Sequence, residues 1–165
     1  MAKTRKSKSG KPYKTVKYSN ETMANSGELT WSGTALQHNF AIVPEADIQG
    51  MRKAKNFTIK FSSICTEASM VTPIVWALVF VPQGTSPSDM SFGTGQSAMS
   101  LYEPNQNVIM SGNFLPTISE PATWTSKTRL ARNLNSKDSI YLVMKSDANM
   151  KVIYSITINY ALTYS

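Results

Sequence analysis

The sequence predicts an all-β fold, an antiparallel sandwich or barrel, behind a basic N-terminal arm. Three observations carry this. Apolar residues recur at every second position through much of the chain, the period of a half-buried strand. No stretch shows the long 3.6-residue apolar stripe of an amphipathic helix. Clusters of Gly, Pro, Ser and Asn cut the chain into short runs, as turns between strands do.

The arm comes first. "MAKTRKSKSGKPYKTVKYSN" holds Lys3, Arg5, Lys6, Lys8, Lys11, Lys14 and Lys17 and no acid; the first acid is Glu21. The 165 residues include 17 Lys and Arg against 10 Asp and Glu, and seven of the 17 lie in the arm, so residues 21–165 carry ten of each. The isoelectric point near 9.5 therefore belongs to the arm. Like charges in a block repel, and so polar a segment buries too little apolar surface to offset its ordering entropy. Residues 1–20 are expected to be a disordered or extended arm. Residues 21–165 are expected to be one domain, long enough to bury a core.

The elements follow in order. "ELTWSGTALQHNFAIV" alternates through Leu29, Trp31 and Ala35, then changes phase to Leu36, Phe40 and Ile42. This reads as a strand with a bulge near Gly33–Leu36. "PEADIQGMRKA" reads as a short helix or turn. "NFTIKFS" sets Phe57, Ile59 and Phe61 on one face and Thr58, Lys60 and Ser62 on the other. "PIVWALVFVP" is apolar throughout and bracketed by Pro73 and Pro82, the pattern of a strand buried on both faces. "QGTSPSDMSFGTGQSAMSLYEPNQ" is a long loop, a kind usually tied to function. "VIMSGNFLP" and "ATWTSKTRLARNL" are further strands; in the second, Trp124 and Leu130 share one parity, and Lys127 and Arg129 the other. "SIYLVMKS" alternates less cleanly. "KVIYSITINYALTY" places Val152, Tyr154, Ile156, Ile158, Tyr160, Leu162 and Tyr164 at every second position, a long strand with one apolar face. These make seven strands. An eighth, needed for the two Greek keys of a jelly roll, is expected inside the first or last long run.

The residue inventory argues against an enzyme. His38 is the one histidine, set on the polar parity of its strand or at the bulge, and reads as a structural or surface residue. Cys65 follows Ile64 at the end of an apolar run with no adjacent cation, so it reads as buried and inert. One cysteine permits no intrachain disulfide and points to a reducing compartment. The acids are scattered and form no metal-ligand set. The glycines of "FGTGQS" are followed by no Gly-Lys-Ser/Thr and fit no phosphate loop. No cofactor and no metal are expected. The basic start is not followed by a secretory apolar segment. The longest apolar run, Ile74 to Val81, is too short for a membrane-spanning helix, so no membrane partner is expected.

The arm remains. Lys and Arg on a flexible chain neutralise phosphates and release counterions without reading sequence. The interleaved Ser and Thr add phosphate hydrogen bonds, and Tyr13 and Tyr18 suit stacking on unpaired bases. The same seven cations fit a nuclear import signal. Two further basic patches, "MRKAK" (Arg52, Lys53, Lys55) and "SKTRLAR" (Lys127, Arg129, Arg132), are expected to line one side of the body and join in nucleic-acid binding.

A basic arm, a neutral β body and long Pro/Gly-rich loops resemble a small icosahedral virus capsid protein. "WALVFVPQGTSPS", "SLYEPNQNVIMSGNF" and "SKTRLARNLNSKDSIYLVM" look like the capsid proteins of circular Rep-encoding single-stranded DNA viruses, the circovirus-like group. The carrying stretches are Val81 to Thr85, Leu101 to Gln106 and Arg132 to Ile140, within a likeness that spans roughly residues 50–162. The resemblance implies a single eight-stranded jelly roll of two four-stranded sheets and a T=1 shell of sixty copies. It implies arms turned inward onto a single-stranded DNA genome, loops outward, and an arm that also engages host nuclear import receptors. The protein would reside in the virion, and in the host nucleus during assembly. A host cell-surface receptor is implied but not identified. Two other readings stand beside it: a capsid subunit of a small or satellite single-stranded RNA virus, and a cellular lectin-like β-sandwich.

Overall fold

The computed structural model describes residues 17–32, 37–68, 71–87, 107–147 and 149–164. Among the described residues every regular element is a strand: β1 (Ser19–Trp31), β2 (Gln37–Val43), β3 (Arg52–Ala68), β4 (Ile74–Val81), β5 (Val108–Phe114), β6 (Ala122–Leu134), β7 (Ser139–Lys145) and β8 (Met150–Tyr164). They form two four-stranded antiparallel sheets, in the orders β1-β8-β3-β6 and β2-β7-β4-β5. Only β4 and β5 are consecutive strands within one sheet; every other step crosses between sheets. Among the described residues no helix is long and apolar enough to cross a membrane.

The eighth strand comes from the first long run. The phase change after Trp31 is a crossing between sheets, not a bulge within one strand: Trp31 pairs with Met150 in the first sheet and Gln37 with Lys145 in the second. β1 starts at Ser19, and its N-terminal half is polar because it is an edge strand exposed on much of its surface.

β8 carries the clearest pattern. Val152, Tyr154, Ile156, Ile158, Tyr160 and Leu162 are buried between the sheets, while Tyr164, last of the series, is exposed. β4 is buried on both faces as its composition predicts. Ile74, Trp76 and Leu78 join the core between the sheets, and Ala77, Val79 and Val81 pack with Val143 on the opposite face.

β3 is longer than "NFTIKFS" and takes in Arg52–Lys55, so "MRKA" is largely strand. Pro44–Met51 contains no helix; it bends at Gly50, whose φ is 108°. Asn56 has a φ of 57°, in the left-handed region that Asn tolerates better than most residues. At Asn56 the register shifts against both neighbours, β6 and β8. The bulge changes the parity of burial, with Arg52 and Ala54 inward before it and Phe57, Ile59 and Phe61 inward after it.

One end of the sandwich is tied by polar groups. Arg52 is 2% exposed; its Nη1 donates to Pro44 O at 2.7 Å and its Nη2 to Asp138 O at 2.6 Å. The Asp138 carboxylate accepts from Gln83 N at 3.0 Å and Asn135 N at 2.8 Å. Aromatic rings pack within the sandwich: Trp76 stacks on Trp124 at 4.8 Å and 15°, and Phe61 and Phe114 pack against Trp124. His38 corrects its expected placement. It shares the inward parity of Phe40 and Ile42, meets Trp31 edge-on at 5.0 Å, and donates from Nε2 to Thr30 O at 3.0 Å. Cys65 is buried.

Candidate nucleic-acid interface

The site is the outer face of the β1-β8-β3-β6 sheet, the side turned away from the second sheet. In-register pairing carries outward positions straight across it. Asn20, Ala161, Lys55 and Ala131 lie in one cross-strand row, and Thr22, Asn159, Thr58 and Lys127 in the next. Lys60 follows in the third, between Thr157 of β8 and Thr125 of β6. The antiparallel pairing of β3 with β6 thus brings "MRKAK" and "SKTRLAR" onto adjacent strands.

Four of the predicted basic residues meet here. Lys53 and Lys55 stand outward on β3, and Lys127 and Arg129 are exposed on β6. Among the described residues no acidic side chain forms an ion pair with any of them. The other two depart from expectation. Arg52 is buried, its guanidinium committed to the Pro44 and Asp138 carbonyls, so it serves the fold rather than an anion surface. Arg132 pairs with buried Ala54 and so lies on the core-side parity of β6, half-buried. Lys60 was missed. It stands exposed on the face, and the signal was its outward parity in "NFTIKFS".

The arm leaves from this face. Lys17 is the one arm cation among the described residues; Lys3, Arg5, Lys6, Lys8, Lys11 and Lys14 lie outside them. Lys17 O accepts from Thr163 Oγ1 at 2.8 Å, and Ser19 Oγ donates to Leu162 O at 3.1 Å. The Lys55 ammonium sits 3.7 Å from the centroid of the Tyr18 ring, an attractive placement against the ring's negative face.

Charge divides along the sheet. Its far end carries Glu28 and Glu67, both bridged by Lys151 Nζ, at 3.2 and 3.9 Å. Its hydrogen bond to Glu28, then the Glu28 and Glu67 charges, raise the Lys151 pKa. The cations near the arm are left without such neutralisation, the condition for holding a polyanion. Among the described residues no three His, Cys, Asp or Glu side chains gather as a metal site.

No family model matches the chain, and no curated protein matches it. Solved structures with some likeness include dimeric latent PorU from Porphyromonas gingivalis, at 14% identity and a TM-score of 0.43 over 89% of this chain. This chain spans 13% of the length of that one. A chain of the Bacillus endospore appendages, which form disulfide-linked pili, is 12% identical with a TM-score of 0.31, over 99% of this chain and 100% of that one. Eiger TNF from S. frugiperda is 9% identical with a TM-score of 0.38, over 87% and 94%. Likenesses this weak carry no functional argument.

Proposed function

We propose that this chain is the structural subunit of a small icosahedral shell that packages single-stranded DNA, and that its sandwich is a jelly roll. The orders β1-β8-β3-β6 and β2-β7-β4-β5 fit two interleaved Greek keys. The observation that carries the functional reading is the shared position of two basic features. The arm leaves β1 beside the outward face that holds Lys53, Lys55, Lys60, Lys127 and Arg129, while the acids of that face sit at its other end. Lys17 and Tyr18, where the arm joins β1, thus lie beside the cations of the face. In a closed shell, that face is turned inward onto the genome. The near-neutral remainder suits close contact between copies, since spread charge of one sign repels. The arm's cations also serve nuclear import, which places assembly in the host nucleus.

The test is the light-scattering mass of the purified protein, with the 260/280 nm absorbance ratio read across the same peak. Sixty copies of an 18.2 kDa chain give a particle of about one megadalton. That mass with nucleic-acid absorbance is the expected result, and deleting residues 1–18 lowers the ratio. A monomer at every salt concentration and pH would overturn the reading. Sequencing the packaged strand separates DNA from RNA.

A further inference from the structure

We infer that the outer face of the β1-β8-β3-β6 sheet carries a cross-strand groove that seats a short single-stranded nucleic-acid segment. Phosphates lie against Lys127 and Arg129, and base edges against the amides of Asn56, Asn159 and Asn20. The inference rests on the packaging reading and gives the body of the subunit its own binding site beside the arm.

The groove is made by the bulge. Lys55 pairs with Ala161 and Thr58 with Asn159, so Asn56 and Phe57 together face the single residue Tyr160 on β8. On the other side, Lys55 pairs with Ala131 and Phe57 with Thr128, so Arg129 and Leu130 together face Asn56. An extra residue on each side interrupts the ladder and bends the strands. Two open depressions result, and Asn56 lines both. The first, about 430 Å³, adds Thr58, Lys127 and Arg129; the second, about 280 Å³, adds Asn20, Asn159 and Ala161. Together they cross all four strands. Three inter-strand spacings of about 4.8 Å make a track on the order of 14 Å long. That holds about four stacked nucleotides at roughly 3.4 Å each.

The lining matches such a segment. Lys127 and Arg129, neighbours on one wall, suit phosphate oxygens. A carboxamide presents a donor and an acceptor together, which a base edge can meet and a phosphate cannot. Asn159 Oδ1 already accepts from Thr22 Oγ1 at 2.7 Å, which fixes that amide's orientation and leaves its NH₂ to donate. Ala161 leaves floor space for a ring. None of the residues lining either depression is acidic.

The experiment measures binding of full-length protein, taken as the unassembled subunit fraction from size exclusion so that the face is open, to a fluorescein-labelled twenty-nucleotide oligothymidylate, and to an abasic strand of the same length, across a salt series. Asn56→Gly keeps a backbone that glycine adopts freely at positive φ and removes only the amide. It is expected to weaken oligothymidylate binding about three- to tenfold, the range of one or two hydrogen bonds, with the salt slope unchanged and no loss on the abasic strand. Lys127→Gln with Arg129→Gln weakens both strands and lowers the salt slope by about 1.4, at roughly 0.7 per phosphate contact on single strands. Lys145→Gln, on β7 of the other sheet, changes neither. Oligothymidylate binding that none of the groove variants alters would overturn the groove and leave the arm reading standing. An equal loss from Asn56→Gly on both strands would overturn the base contact and assign a general polyanion site. No binding by the unaltered protein would overturn the groove and the packaging reading together.

Discussion

Lys55 and Tyr18 join the arm to the body: the ammonium lies 3.7 Å from the ring centroid, next to the Thr163–Lys17 and Ser19–Leu162 hydrogen bonds. Three consecutive residues, Lys17, Tyr18 and Ser19, are thereby tied to β3 and β8 beside the basic face. A double-mutant cycle with Tyr18→Leu and Lys55→Met, followed by urea unfolding, is expected to give a coupling of about 0.5–1 kcal/mol, the range for a cation–π contact near solvent. A coupling of zero would mean that the arm is not held at Tyr18.

Arg52 is expected to matter for folding and not for binding. Arg52→Leu leaves the Pro44 and Asp138 carbonyls without their charged donor at a buried site. The expected cost is about 2–4 kcal/mol in urea unfolding. Oligothymidylate affinity per folded molecule should stay unchanged. A selective loss of affinity at unchanged stability would restore Arg52 to the anion surface.

Gly112 is set against Trp76. A Cβ added there would fall 2.8 Å from Trp76 Cζ2 and 3.0 Å from its Cε2. The indole cannot retreat freely, because it stacks on Trp124, itself packed on Phe61 and Phe114. Gly112→Ala is expected to destabilise by about 1–3 kcal/mol, the usual cost of overpacking. It should also change the near-ultraviolet circular dichroism of the tryptophans. A melting temperature equal to that of the unaltered protein would show that the ring has room.

Tyr160 gives a pH dependence. Its hydroxyl donates to Ile42 O at 3.2 Å. Burial raises its pKa above the ordinary 10.0, helped by the Glu21 and Tyr164 charges and opposed by Arg52. The raised folded pKa sets the sign: as pH climbs past 10, the unfolded chain loses this proton first, so stability is full below that pH and falls above it. Tyr160→Phe costs about 1 kcal/mol at neutral pH, and should flatten the alkaline fall in urea midpoint between pH 9 and 11. An unchanged alkaline slope would assign the fall to other groups, with Tyr154, also raised by burial, the first to test.

Much of the body was legible because alternation reports burial wherever one face of a strand is dry. β8 shows it in Val152 through Leu162, and β4 shows the two-faced version in Ile74 through Val81. The pattern failed where a polar side chain goes inward or an edge strand lies open. Arg52 hid the start of β3, since an inward Arg breaks the alternation unless its acceptors are known. Those acceptors, Pro44 and Asp138, are supplied by separate connections. For the second reason the polar first half of β1 was not read as strand: Ser19 and Asn20 counted with the arm, and the residues from Glu21 to Gly27 belonged to no predicted strand.

The candidate site divides the same way. Composition and order along the chain determined that the cations of residues 1–20 are segregated from a neutral body, and that the body is built of strands. Both follow from local quantities, charge per segment and hydrophobic period. Which cations of the body share a face was decided by pairing. Register set Lys55 and Lys127 on neighbouring strands, withdrew Arg52 into the interior and brought in Lys60. The bulge at Asn56 then opened the groove between them. Those outcomes depend on hydrogen-bond ladders between residues about seventy or a hundred positions apart, and chain entropy allows such contacts only when the whole sheet forms at once.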